Sequence, residues 1–415
     1  MTGRRGLGPR AWRVLTASGL SQLGSGLTHP FLLIYLSHVA GVPVSAAGIV
    51  LGVSGVGGLA GSGLAGVLAD RIGTGRAVVV MLAVSALGTG SFAAAHGVLG
   101  SSAAAFGYGA GIAGIWTALT PLLAATVPAD QQGRVLGTNY WVSSVGFGIG
   151  SLFGALLLDN QSATAYRAVF VADAASFLAF AGLLLLTGET RRAAASPAPR
   201  EEQLPARDTG RSRRILIMVT AVNALLVTAA LSQLNAAFPA FATGPAGVPT
   251  GVVGVAIAVN AATVVVAGLV LNRRLDRYSR TALAAAAGVL FALTWLVVLA
   301  AGADRGGRVA AGCLIGALAI CAIGEVLLAP SFSTLVNSLP PHALRGRYNA
   351  VFNLSWQLGS IAGPALSVAF IGRGLGTPVL LGLAGGCLAC VIVTVAVGRR
   401  VPRYVNNIQS QPALG

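Results

Sequence analysis

Two of the eleven acidic residues, Asp173 and Glu325, fall well inside long apolar runs, while the other nine lie between runs or at their ends. A carboxylate near the centre of a bilayer costs about 2.5–3.5 kcal/mol or more, so such a group faces protein and is a functional candidate by default. A carboxyl group that alternates between a dry and a hydrated setting takes up a proton in one and releases it in the other. Glu325 is thus a candidate for proton coupling or cation recognition, with a structural hydrogen bond as the plainer alternative. Asp173, a few residues into its run and close to Ser176, reads first as a polar tie between helices and second as a coupling group. His29 precedes Pro30, whose missing N–H leaves carbonyls open to a cavity. Its imidazole suits proton transfer near neutrality and equally suits a satisfied interior position.

Around these groups stand uncharged polar and aromatic side chains that can read a substrate. Ser21, Gln22, Ser25 and Thr28 recur with His29 at helical spacing and suggest one cavity-facing stripe. Asn223, Gln233, Asn260, Asn353 and Gln357 offer amides in the second half of the chain. Tyr35, Tyr108, Trp116, Trp141 and Trp356 offer stackable walls, with helix packing or interfacial anchoring as the alternative for each. A pocket with one carboxylate and several aromatics suits amphipathic or cationic small molecules.

The elements that must position these groups are membrane spans. Of 415 residues 55% are hydrophobic and 9% charged, against the roughly 25% charged of a soluble domain. A bilayer core about 30 Å thick is crossed by about 20 helical residues, and twelve apolar runs are long enough: 14–38, 44–69, 77–98, 101–127, 135–158, 168–188, 215–242, 250–271, 281–303, 309–336, 348–371 and 376–398. The net charge of +16 comes from 27 arginines with no lysine. All but Arg167, Arg305, Arg308 and Arg373 lie on one side of these runs, which places both termini in the cytoplasm and the chain in the inner membrane. That distribution explains the charge without nucleic acid. Cys387-x-x-Cys390 lacks partner ligands and reads as helix packing, and no metal or cofactor site is expected.

The runs form a repeat. Gly133-Arg134 and Gly346-Arg347 precede the fifth and eleventh runs at an offset of 213, which also relates Gly146 and Gly150 to Gly359 and Gly363. Pro30 and Pro239 lie 209 apart, as do Pro121 and Pro330. The organisation expected is a six-helix half over 1–188, a cytoplasmic linker rich in Arg, Ala and Pro over 189–214, and a second half over 215–415. Six spans per copy keep the copies in one orientation, with a substrate path between them as the default expectation.

The loop Gly66-Val-Leu-Ala-Asp70-Arg71-Ile-Gly73-Thr-Gly75-Arg76 resembles the G-x-x-x-D-R-x-G-[x]-R signature of the major facilitator superfamily, and the span count and repeat extend the resemblance over essentially the whole chain. The resemblance implies twelve transmembrane helices in two pseudo-symmetric bundles, an all-α membrane protein and not an enzyme. It also implies that Gly66, Asp70, Arg71, Gly73 and Arg76 form a conformational latch. There Gly66 would admit a neighbouring helix, and Asp70 would face a helix N-terminus and pair with Arg71 or Arg76. Gly359-x-x-x-Gly363-Pro364 and Gly324-Glu325 resemble the multidrug and proton antiporter branch, although the proline is absent from span five and the family's span-four arginine is replaced by Gly107, Tyr108, Gly109 and Gly111. The expectation is a monomeric, proton-coupled exporter of small amphipathic molecules, surrounded by lipid, with metabolite uptake or a non-transporting receptor as alternatives.

Overall fold

Lipid supplies no hydrogen-bond partners for the backbone, so an apolar chain of this composition satisfies its amides within helices. The computed structural model describes residues 7–128, 131–158, 162–188, 210–275, 277–338, 345–401 and 406, and among them there is no strand. The first unit, Met1–Pro199, contains α1 (Pro9–Thr28), a 3-10 turn (His29–Phe31), α2 (Leu32–His38), α3 (Val44–Ile72), α4 (Thr74–Phe92), α5 (Gly97–Ala124), α6 (Gln132–Leu157) and α7 (Ala163–Leu186). The second unit, Arg200–Gly415, contains α8 (Gly210–Ala229), a 3-10 turn (Leu231–Asn235), α9 (Ala237–Thr243), α10 (Thr250–Leu275), α11 (Arg280–Ala301), α12 (Arg308–Ser338), α13 (Arg345–Ile371) and α14 (Gly376–Gly398).

Eleven stretches among the described residues are long and apolar enough to cross a membrane. The expected first span is the exception. Arg10, Arg13 and the polar stripe lower the hydropathy of α1, and Pro30 interrupts the ladder, so the run becomes helix, 3-10 turn and short helix. The second unit opens in the same way, with its own 3-10 turn before α9. The expected linker falls outside the described residues as far as 209. From Gly210 to Arg214 the chain is already helical, and arginine is a good helix former.

The same pairings recur within each unit. In the first, α1 packs on α6 and α7, α3 on α5, and α4 on α5 and α7; in the second, α8 packs on α13 and α14, α10 on α12, and α11 on α12 and α14. Glycine sets the closeness of these contacts. A methyl at Gly150 would lie 3.0 Å from the Gly26 Cα, and one at Gly61 would lie 2.5 Å from the Ala110 Cα. Gly359 and Gly363, at the 213 offset from Gly146 and Gly150, meet Val227 and the Thr228 carbonyl in the same manner. Large apolar side chains cover the outside, with Leu186 at 90%, Leu99 at 86% and Ile392 at 72% exposure. Such a surface is at home in hydrocarbon and not in water.

Candidate functional site

In the first unit the broken helix puts His29 where α1 gives way to its 3-10 turn. Tyr108, from the glycine-flanked middle of α5, brings its Oη to 2.9 Å from His29 Nδ1. The phenol O–H donates to Nδ1 when the imidazole carries its proton on Nε2. The Tyr108 ring stands edge-on to His29 at 5.6 Å and Phe147 of α6 at 6.4 Å. Three helices thus meet at one imidazole.

Asp173 occupies a different place. It is fully buried on α7, accepts from Thr28 Oγ1 at 2.7 Å and more weakly from Ser176 Oγ at 3.4 Å. A methyl at Gly24 would come within 2.6 Å of its Oδ1. These contacts join α1 to α7. Ser25 is also buried and Gln22 half-buried.

In the second unit Glu325 lies near the midpoint of α12 and Asn260 near the midpoint of α10. Asn260 Nδ2 donates to Glu325 Oε1 at 3.0 Å and to the Leu318 carbonyl at 3.2 Å. Cys321, one turn earlier on the same face as Glu325, directs its thiol toward Oε1 at 3.8 Å. The carboxyl is partly buried. Two candidates sought separately, one for the proton and one for substrate, therefore form one mid-helix pair. Cys321 was missed as a neighbour, although its spacing of four from Glu325 was visible in the sequence.

The remaining amides are partly committed. Asn223 Nδ2 donates to Ser355 Oγ at 2.7 Å and joins α8 to α13. Gln233 Nε2 donates to the Thr228 carbonyl at 2.7 Å. Gln357 is partly buried, Trp116 and Trp356 are about two-fifths exposed, and the Asn353 side chain lies outside the described residues. Tyr35 corrects the expectation of a cavity wall. It is buried among Phe92, Tyr166 and Phe170, and its hydroxyl donates to the Phe92 carbonyl. Cys387 and Cys390 are buried and approach the carbonyls of Ala229 and Val222 at 3.9 Å, so they pack α14 against α8.

The loop of the expected latch joins α3 to α4 at the end of the first unit's α3. A methyl at Gly66 would meet no atom within 4 Å among the described residues. Asp70, Arg71 and Arg76 are exposed, and Asp70 forms no ion pair among the described residues. Adjacent helix positions such as 70 and 71 do not face each other, and the chain turns away before Arg76. Gly73 is the hinge of that turn. It ends α3 and begins α4 with φ 88 and ψ 152, a conformation essentially confined to glycine.

Comparison with known proteins agrees with this architecture. The family model described as Major Facilitator Superfamily matches residues 14–364. An uncharacterized MFS-type transporter, YqjV of Bacillus subtilis (strain 168), is 22% identical over 365 residues, covering 86% of this chain and 85% of that one. Among solved structures, a peptide transporter POT in complex with alafosfalin superposes with a TM-score of 0.76 at 16% identity, covering 95% of each chain. The POT family transporter PepTSo superposes at 0.75 with 14% identity, covering 94% of this chain and 97% of that one. At these identities the structural likeness speaks for the fold.

Proposed function

Since the chain belongs to the major facilitator superfamily and is a multi-pass membrane transporter, we propose that it is a proton-coupled secondary transporter in which Glu325, held by Asn260, is the coupling group. The observation that carries this reading is a partly buried carboxyl at mid-helix that forms no ion pair among the described residues. Its partners are an amide and a thiol, so proton uptake leaves no counter-charge stranded. The energy of one proton crossing a potential of 100 mV is about 2.3 kcal/mol, which sustains roughly a fifty-fold gradient of a neutral solute.

Alternating access then proceeds with the Asp70 loop biasing one access state and Gly73 holding the short connection between α3 and α4. The broken helices at His29–Phe31 and Leu231–Asn235 free backbone groups that can serve substrate or water. The chain sits in the inner membrane with its termini and the 189–214 linker cytoplasmic, the first broken helix counting as the twelfth span, and it works as a monomer. The Gly359-x-x-x-Gly363-Pro364 pattern supports antiport, with export of small amphipathic molecules. A second reading, proton-driven uptake, is favoured by one observation: the peptide transporters among the solved structures of the same fold.

Everted vesicles test both readings. A proton gradient is established, and amphipathic compounds and short peptides are added in turn. An exporter dissipates the gradient on adding amphiphiles, and an uptake symporter responds to peptides in right-side-out vesicles. No compound moving protons in either orientation refutes proton coupling.

A further inference from the structure

The second unit contains a cavity of about 430 Å³, open to the outside beside the exposed Leu366, Phe370 and Leu375, that is separate from Glu325 and Asn260. Thr228, Gln233, Gly363, Ser367, Phe370 and Gly382 are among the residues that line it, and they come from α8, its following 3-10 turn, α13 and α14. The volume lies within the roughly 300–1,000 Å³ usual for small-molecule sites, and the wall has their usual character, apolar with a few polar groups. Among the described residues no charged side chain lines it.

Gln233 gives the cavity its chemistry. The side chain is fully buried, and its Nε2 donates to the Thr228 carbonyl, while Oε1 has no hydrogen-bond partner. The carbonyl fixes which end of the amide is which, because exchanging them would set two acceptors face to face. The orphan group is therefore an acceptor, and a buried acceptor without a donor is unfavourable. Gly363 makes room for this amide, since a methyl there would lie 2.6 Å from Gln233 Nε2. In the first unit the residue at the 209 offset from Gln233 is Gly24, and its space is taken by Asp173 and Ser176 from α7. The second unit instead carries its polar group on the 3-10 turn after α8 and leaves open space beside Gly382, where a Cβ would meet nothing within 4 Å.

We propose that this cavity binds an uncharged amphiphile, an aliphatic body carrying one hydroxyl or amide N–H that donates to Gln233 Oε1 when the carboxamide pivots to face it with Nε2 still held on the Thr228 carbonyl. A charged ligand is excluded because nothing in the wall compensates it. This site does not depend on the transport reading of Glu325.

The test uses a medium-chain alcohol bearing a photoreactive diazirine, with the full-length protein in nanodiscs and the adduct mapped by peptide mass spectrometry. Saturable labelling of the α13–α14 region is expected, competed by the unlabelled alcohol and about two- to tenfold weaker for the methyl ether, the loss of one neutral hydrogen bond. Gln233→Leu should weaken labelling to the same degree. Since Gln233 also ties its turn to α8, Gly382→Leu is an independent arm that fills the cavity from an open position and should abolish labelling. Glu325→Gln should leave it unchanged. Labelling that does not saturate, that survives Gly382→Leu, that treats ether and alcohol alike, or that is lost in Glu325→Gln overturns the proposal.

Discussion

Replacing Thr28 by valine keeps the shape of the side chain and removes the donor that Asp173 Oδ2 receives at 2.7 Å. The carboxyl is fully buried, and its further hydroxyl neighbours are Ser25 and Ser176, the latter 3.4 Å from the opposite oxygen and donating at 2.7 Å to the Asp173 main-chain carbonyl. A buried acceptor left without its partner costs about 1–3 kcal/mol. For a unit of this size each kcal/mol corresponds to about 2–4 °C in melting temperature, so Thr28→Val should melt about 2–12 °C lower. Removing both partners is different in kind. With Asp173→Val added, the stranded carboxyl is removed as well, and the double variant should recover much of the loss, giving a coupling energy of about 1–3 kcal/mol. Thermal unfolding followed by tryptophan fluorescence in lipid nanodiscs reads all four corners of this cycle. If Thr28→Val melts with wild type, or if the two losses simply add, the tie between α1 and α7 is not what Asp173 does.

Further outcomes follow from other positions. Gly61→Leu, whose first carbon already overlaps the Ala110 backbone, should abolish the monodisperse peak in size-exclusion chromatography, whereas Gly63→Ala, with nothing within 4 Å, should leave it intact. Gly73→Ala forces an L side chain into the φ 88, ψ 152 conformation and should cost about 1–3 kcal/mol, visible as a lower melting temperature. Asn260→Leu removes the donor to Glu325. It should lower proton-driven flux about tenfold or more, the equivalent of a hydrogen bond to a charged group, with expression unchanged in an immunoblot.

The spans were legible because hydrocarbon imposes one rule on every run, and helix ends such as Gln132 and Leu157 fall within a few residues of the apolar limits at 135 and 158. What the run at 14–38 hid was its break. Pro30 marked the place, but a hydropathy window averages over a 3-10 turn. Glu325 was legible as a lone carboxyl in an apolar run, while its partner Asn260 stands 65 residues away on another helix, a distance no local pattern spans. Tyr35 was assigned to a cavity wall because aromatic character does not say which way a helix face is turned; its neighbours Phe92, Tyr166 and Phe170 are brought to it by tertiary packing. In the same way the spacing of Gly66 resembles that of a contact glycine, yet α3 makes its close approaches at Gly57 and Gly61.

Glu325→Gln separates coupling from binding, because glutamine keeps the shape and the hydrogen bond from Asn260 but cannot release a proton. In proteoliposomes loaded with a substrate found by the vesicle screen, the variant should retain substrate-for-substrate exchange and lose accumulation driven by an imposed pH gradient. Unaltered gradient-driven accumulation in Glu325→Gln would contradict the account.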